Sequence, residues 1–327
     1  MRPAALLFWL IAAAPVASVW ASGMGAWFLT VVPDARTSAL GGAGVALDDL
    51  DANTYYNPAN VAFGPSLAAT WTHANWSHRV FYGMSIDHAG LAGRVNDRLG
   101  FAANLTYMQY GATDVVDEHG NDLGTYRSYD LASGISAAYR ILPTLTAGMT
   151  VKGIYSLITP AWIWEVMPEL GIEGGGDAFT VAGDAGVQYR PQDELTMGFA
   201  VANLGPNLRY DSSDGDFLPR VARIGFAVRP PVPDPVSATV TGELSRDLFP
   251  PAEWRDLYHW GAGLELEFAK IAFVRLGYLH YDRDGWRGWT WGMGLQDRSV
   301  RLDVGVDSGI YQSTGTRNVR FQLSGRF

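Results

Sequence analysis

Alternation of apolar and polar residues through many stretches of about ten residues is the feature that most constrains this chain. In the last stretch, 317–327, Val319 and Phe321 share one face while Arg320 and Gln322 share the other. A period of two residues is that of a β-strand, whose successive side chains point to opposite faces. The pattern therefore predicts strands that separate two different environments.

The number and length of these stretches define the predicted fold. Fourteen of them follow residue 66, including 79–88, 97–109 and 126–140. A tilted strand needs roughly 9–11 residues to cross an outer membrane. We therefore predict an all-β fold over 66–327, a transmembrane antiparallel β-barrel of about 14 strands in outer-membrane lipid.

Composition separates a membrane barrel from a soluble sandwich, which alternates in the same way. Charged residues make up 17% of the chain, and there are 38 glycines and 12 tryptophans, whereas a soluble protein has about a quarter of its residues charged. Charged residues such as Glu265 and Arg275 recur at mid-strand on the polar side, as in a barrel lumen. The net charge of −9 argues against nucleic acid as a partner, because its binders need a basic face.

The connections between the predicted strands give a second indication. Even-numbered connections are short and odd-numbered ones are mostly longer, as expected for periplasmic turns and external loops. The predicted first connection, 76–78, is short and the second, 89–96, is long, so both break this pattern; the third, 110–125, is long. With an even strand count, both termini are expected on the periplasmic side.

Residues 1–21 have the features of a signal peptide. Arg2 gives a positive start, an apolar run follows over 4–16, and Val19-Trp20-Ala21 is a plausible cleavage site. The apolar run is too short for a membrane span. We therefore expect export from the cytoplasm and location in the cell outer membrane.

Residues 22–65 are the least strand-like part of the chain after the leader. Gly41, Gly42 and Gly44 form a turn poor in side chains, where backbone can approach backbone. The acidic run that follows, 48–51, is too polar to face lipid. We predict that this segment is a plug, or hatch, inside the barrel lumen.

The same segment contains a second turn, at Asn57, Pro58 and Ala59. Proline fixes φ and lacks the N–H that a central strand requires, so no strand is expected to pass here. If the plug moves, its rearrangement is expected to pass through this turn and through the glycine turn before it.

These motifs resemble a known family of outer-membrane proteins. The run GGAGVAL (41–47), an acidic stretch and then NPANVA (57–62) are similar to the N-terminal signature of the PorV/PorQ family, within the wider FadL-like group of β-barrels. Further resemblance lies in GFAVANLGPNLRY (198–210) and LPRVARIGFAV (218–228), and Asn60 stands where the family usually has glycine. The resemblance implies a role in type IX secretion, in which such proteins receive translocated cargo and pass it to an attachment complex.

The wider FadL-like resemblance implies a different role, the transport of a hydrophobic small molecule such as a fatty acid. Such a molecule would enter at the mouth of the barrel, meet the plug and leave sideways through a gap in the wall. A third alternative is a structural or passively diffusing barrel. Partners therefore remain open between secretion or surface proteins and a hydrophobic compound.

Two other places are candidates for function. The predicted external loop 156–177 combines Trp162, Trp164 and Met167 with flexible glycines, and exposed aromatics with methionine favour ligand or partner binding. The same composition also fits a loop that folds over the lumen. The terminal Phe327 resembles the signal by which outer-membrane barrels are recognised for insertion.

Catalytic and metal motifs are lacking in the sequence. The six histidines are scattered without metal-ligand spacing, cysteine is absent, and no G-x-S-x-G or phosphate-binding loop occurs. We predict a protein that is not an enzyme and has neither a metal nor another cofactor.

Overall fold

Fourteen antiparallel strands form a closed barrel in a computed structural model of the chain. Each strand pairs with its neighbours in sequence, and β1 pairs with β14 to close the barrel. The structure describes residues 23–47, 54–76, 83–117, 119–166, 176–210, 215–248, 258–281, 286–308 and 317–327. The predicted signal peptide and the acidic run lie outside these residues.

The elements have the following bounds. The strands are β1 (Leu67–Asn75), β2 (Met84–Arg94), β3 (Leu99–Val116), β4 (Asp122–Leu142), β5 (Leu145–Leu157), β6 (Asp177–Gln192), β7 (Leu195–Leu204), β8 (Val221–Val228), β9 (Val236–Asp247), β10 (Tyr258–Phe268), β11 (Ala272–Tyr281), β12 (Trp286–Asp297), β13 (Val300–Ser308) and β14 (Arg317–Arg326). The α-helices are α1 (Ala35–Ala39) and α2 (Trp162–Val166), and 3-10 helices span Trp27–Thr30 and Pro58–Phe63. In the part of the chain that the structure describes, no helix has the length and apolarity needed to cross a membrane.

Burial alternates along the strands as the sequence predicts. In β14, Asn318 and Arg320 are fully buried, whereas Phe321 is 54% exposed. The outward faces of other strands are apolar in the same way, with Ile135 and Met149 among the most exposed side chains. An apolar outer surface around a polar interior is the arrangement of a transmembrane barrel, so the predicted fold class is confirmed.

The two ends of the barrel differ in their connections. At one end, here called the short-turn end, the connections are 95–98, 143–144, 193–194, 229–235, 269–271 and 298–299. At the other, the loop end, they are 76–83, 117–121, 158–176, 205–220, 248–257, 282–285 and 309–316. The first two connections, 76–83 and 95–98, follow the pattern, so the prediction that they break it is wrong. The prediction of a long third connection is also wrong, because only 117–121 separate β3 from β4.

Small residues explain the errors. Gly93 lies inside β2, where a Cβ would come within 2.7 Å of the Ser66 carbonyl oxygen. The glycine therefore allows the backbone before β1 to approach β2 closely, and it does not mark a turn. The hairpin of β3 and β4 runs well past the predicted ends because its ladder continues through register shifts near Ala112 and Val116. Gly111 and Gly124 accompany these irregularities and do not end the strands.

The N-terminal residues occupy the lumen and run along it. We call residues 23–47 and 54–66 the lumen segment. Its helix α1 contacts β11 to β14, and its 3-10 helix Pro58–Phe63 contacts β2 to β6 on the facing wall. Met24 bridges to Phe217 at the loop end, so the predicted periplasmic position of the N-terminus is wrong for the described residues. An even strand count places only the first and last strand ends of the wall on the same side. The lumen segment precedes the first strand and traverses the interior, so its own beginning lies at the opposite end.

An apolar core fills part of the loop-end half of the lumen. Phe28 and Val31 of the lumen segment pack with inward side chains of β2, β3 and β5, including Ile86, Met108 and Ile154. All five are at most 2% exposed. The interior is therefore packed as the core of a soluble domain is packed, and this packing holds the lumen segment in place.

Candidate functional site

The glycine turn of the lumen segment lies against β10 and β11. Gly41 and Gly42 have φ of +70° and +77°, a region that glycine adopts without the steric cost of a side chain. A Cβ on Gly41 would lie 2.7 Å from the carbonyl oxygen of Ala262. The backbone N–H of Gly41 donates to Thr290 Oγ1 at 3.0 Å. The predicted turn is thus a point of backbone contact between segment and wall.

Glu243 of β9 holds the next part of the turn. Its Oε2 accepts from the backbone N–H groups of Gly44 at 2.9 Å and Val45 at 2.8 Å. A Cβ on Gly44 would lie 2.5 Å from Tyr56 Cγ, so this glycine allows the two halves of the lumen segment to pack together. A buried carboxylate on two backbone donors is a strong, charge-assisted anchor.

Asn57 joins the second half of the lumen segment to both the first half and the wall. Its Nδ2 donates to the carbonyl oxygens of Val45 and Val187, each at 3.0 Å. Its Oδ1 accepts from the N–H of Ala59 at 3.0 Å and so caps the 3-10 helix that Pro58 begins. The three predicted residues therefore form one structural unit.

We expect Asn57→Ala to lower the free energy of unfolding by about 2 kcal/mol, because a cap is lost and buried carbonyl groups lose their donor. Asn60→Ala is the matched control: Asn60 is equally buried, and its Oδ1 has no hydrogen-bond partner among the described residues. Urea unfolding in detergent micelles measures both. Equal losses in the two variants would show that the Asn57 contacts carry no special stability.

A chain of buried ion pairs anchors α1. Arg36 makes two hydrogen bonds to Glu265 of β10, Nε to Oε2 at 3.0 Å and Nη2 to Oε1 at 2.7 Å. Glu265 also accepts from Arg275, which in turn donates to Asp303 at 2.6 Å. Arg301 donates to the same aspartate at 2.6 Å. The sequence places Glu265 and Arg275 in the lumen but does not identify Arg36 as their partner.

A small cavity lies between the glycine turn and β8 to β11. It has a volume of about 60 Å³ and is lined in part by Tyr55, Tyr56, Arg223 and His259. Burial raises the pKa of Tyr55 to about 12, so its hydroxyl stays protonated and donates to the Leu29 carbonyl oxygen at 2.6 Å. Ligand pockets usually have about 300–1,000 Å³, so this cavity in its present state holds water-sized groups only.

The predicted binding loop is partly described. Trp162 and Trp164 belong to the short helix α2 and are both half-buried, whereas Met167 lies outside the described residues. The ring of Trp162 packs edge-on against Tyr126 of the β3–β4 hairpin, with ring centroids 6.5 Å apart. Helix α2 belongs to the connection 158–176, so both tryptophans lie at the loop end.

Phe327 completes the barrel at the short-turn end. Its backbone N–H donates to the Leu67 carbonyl oxygen at 2.8 Å, and its side chain is 71% exposed. An exposed terminal aromatic ring is accessible for recognition during insertion, and that role stays a prediction.

The described residues contain no group of three or more His, Asp or Glu side chains arranged to hold a metal ion. The buried charges instead pair with each other and with backbone groups of the lumen segment. The site is therefore a set of attachments between a segment and its barrel.

Comparison with protein families gives a match over most of the chain. Residues 20–253 match the model described as type IX secretion system protein PorV. No curated protein matches the chain at a significant level.

Solved structures similar to this chain are outer-membrane transporters and channels. The toluene transporter TodX of Pseudomonas putida is 14% identical with a TM-score of 0.56, covering 88% of this chain and 98% of TodX. The monoaromatic hydrocarbon channel CymD is 13% identical with a TM-score of 0.57, covering 91% and 98%. A FadL homologue of Pseudomonas aeruginosa is 12% identical with a TM-score of 0.50, covering 89% and 97%. At these identities the likeness shows the barrel fold alone.

Proposed function

Because this outer-membrane barrel belongs to the PorV family, we propose that it takes part in type IX-like protein secretion and handles cargo at the cell surface. The family match over residues 20–253 carries the proposal. It spans the lumen segment and β1 to β9. The contacts of Glu243 and Asn57 therefore lie within the matched region, whereas Glu265 and the ion pairs that follow it lie beyond residue 253.

The packed lumen supports a role outside the pore. The lumen segment is fixed to the wall at several points along the barrel. These are the apolar core, the buried carboxylates of Glu243 and Glu265, and the amide of Asn57. The cavity beside the glycine turn, of about 60 Å³, is too small for a fatty acid. A barrel closed in this way is suited to present its loop end to other proteins without leaking solutes. The proposal is therefore for a binding protein and not for an enzyme.

The loop end supplies a candidate recognition surface. Both Trp162 and Trp164 lie on α2, and Trp162 packs against the β3–β4 hairpin, which extends beyond the rest of the wall. Large aromatic side chains dominate the binding energy of many protein interfaces. The proposal therefore places cargo or partner contact at α2 and this hairpin.

We expect the double variant Trp162→Ala/Trp164→Ala to weaken cargo binding by about tenfold or more, because interface tryptophans commonly contribute at that level. Trp289→Ala is the control, since Trp289 is 65% exposed on the outer face of β12. Binding of purified cargo to the barrel in nanodiscs measures the effect. Unchanged affinity in the double variant would remove α2 from the recognition surface.

The function itself is tested by deleting the chain in its native host. The proposal predicts that secreted proteins fail to reach the cell surface and accumulate inside, and that the wild-type chain restores delivery. Normal surface delivery in the deletion strain would contradict it.

Hydrophobic transport is the second candidate, and one feature of the wall favours it. The ladder between β6 and β7 shifts register between Gly183 and Ala185, opposite Asn203, which has φ of +63°. An irregular ladder is where a wall could open sideways. Here, however, hydrogen bonds hold Asn203 in place. Lys152 Nζ donates to Asn203 Oδ1 at 2.6 Å, and the backbone N–H of Asn203 donates to Asp184 Oδ1 at 2.8 Å. Loss of labelled fatty-acid uptake in the deletion strain, with normal protein secretion, would favour this function.

A further inference from the structure

A second cavity lies at the short-turn end, between α1 and the wall. It has a volume of about 190 Å³. Its floor is buried and includes Arg36, Glu265 and Phe273, and its rim is partly exposed and includes Arg229 and Lys270. A buried floor with an exposed rim describes a pocket that opens at this end, which faces the periplasm in barrels of this class.

The lining is strongly cationic. Five positive side chains surround the cavity and two carboxylates accompany them: Arg36, Arg229, Lys270, Arg301 and Arg326 against Glu265 and Glu267. The chain as a whole has a net charge of −9, so the positive charge around this cavity is opposite in sign to that of the whole protein. Charges of one sign in a cleft with low-dielectric walls concentrate the field and attract counter-ions.

The carboxylates near the floor are already occupied by arginines. Glu265 accepts from both Arg36 and Arg275, and Asp303 accepts from both Arg275 and Arg301. Three guanidinium groups thus share two carboxylates. Nη2 of Arg275, buried within this chain of ion pairs, has no hydrogen-bond partner among the described residues. Three guanidinium groups against two carboxylates leave a net positive charge near the floor, which an added anion would balance.

Arg229 shows the effect of this surplus. It follows the last residue of β8, outside the membrane-spanning strand. Burial lowers its pKa and the nearby positive charge of Arg36 lowers it further, and these effects outweigh the opposite influence of Glu265 and Glu267. An anion placed between Arg36 on the lumen segment and Arg229 on the wall would relieve this repulsion.

We propose that this cavity is a binding site for a small soluble oxyanion, a phosphate or carboxylate group, that enters from the periplasm. Arginine side chains bind such groups through paired N–H donors. The volume of about 190 Å³ fits inorganic phosphate or a short carboxylic acid and is below the usual range for larger ligands. Because Arg36 belongs to the lumen segment and the other cations to the wall, the bound anion also joins the segment to the barrel.

Isothermal titration of the full chain in a non-ionic detergent tests the site, with sodium phosphate and sodium succinate as probes and sodium chloride at equal ionic strength as reference. We expect saturable binding of at least one oxyanion. Arg229→Gln/Arg326→Gln is expected to weaken it by about tenfold or more, since hydrogen bonds to charged groups contribute at that level. Glu267→Gln is expected to strengthen it, because a repelling carboxylate is removed.

The matched control is Arg127→Gln/Arg317→Gln, which removes the same charge from exposed positions at the loop end. It should bind the probes as the wild type does. Absence of saturable binding in the wild type, or equal binding in the two double variants, would overturn the proposal. A third titration adds phosphatidylglycerol to the micelles. Saturable heat of binding for this lipid, with none for phosphate or succinate, would overturn the proposal that the ligand is a soluble oxyanion.

Discussion

Glu265→Ala is expected to lower the free energy of unfolding by about 3–5 kcal/mol, the usual cost of removing one partner from a buried ion pair. The carboxylate lies between Arg36 and Arg275, whose side chains are 6% and 0% exposed. Without it, two guanidinium groups repel each other in a poorly solvated place. Loss of the Arg36 contact also frees α1, so the variant should release the lumen segment before the barrel unfolds.

Glu267→Ala is the control for this prediction. Glu267 faces the same side of β10 two residues further on but is only half-buried, so its removal should cost less than about 1 kcal/mol. Urea unfolding followed by tryptophan fluorescence measures both variants. If they lose equal stability, the ion pairs of Glu265 do not hold α1.

Gly41→Ala is expected to cost about 2–4 kcal/mol, from two separate causes. The φ of +70° is unfavourable for alanine by about 1 kcal/mol. The new methyl group would also meet the carbonyl oxygens of Tyr278 and Ala262, and overpacking of this kind adds about 1–3 kcal/mol. Since both oxygens belong to the wall, the turn must move away from β10 and β11.

Gly42→Ala separates the two causes. Its φ is +77°, but a Cβ there would lie 3.6 Å from Val32 Cγ2, an ordinary contact. We therefore expect a loss of about 1 kcal/mol, from the backbone alone. Thermal unfolding of both variants decides the matter, and equal midpoints for Gly41→Ala and Gly42→Ala would argue against close contact between turn and wall.

The barrel could be predicted from the sequence because its wall obeys a local rule. Alternation in stretches such as 317–327 reports the two faces of each strand, and the connection lengths order the ends. The prediction failed where small residues lie inside strands, as at Gly93 in β2 and in the β3–β4 hairpin. There glycine allows close contact with a segment that is distant in sequence, which no local pattern reveals.

The attachments of the lumen segment were predicted only in part. Gly41 and Asn57 are recognisable because each has a conformational role that residue type alone indicates. The wall partners are not recognisable: Arg36 and Glu265 are 229 residues apart, and Glu243 resembles any polar lumen residue. Their pairing depends on how the segment lies in the closed barrel.

We propose that the barrel is closed by its own N-terminal residues and works through its loop end. Planar-bilayer recording of the full-length chain tests the first part directly. We predict no channel steps for the wild type and intermittent steps for Glu265→Ala, whose lumen segment is released. Steady conductance by the wild-type chain would contradict a sealed lumen and would favour passage of solutes through the barrel.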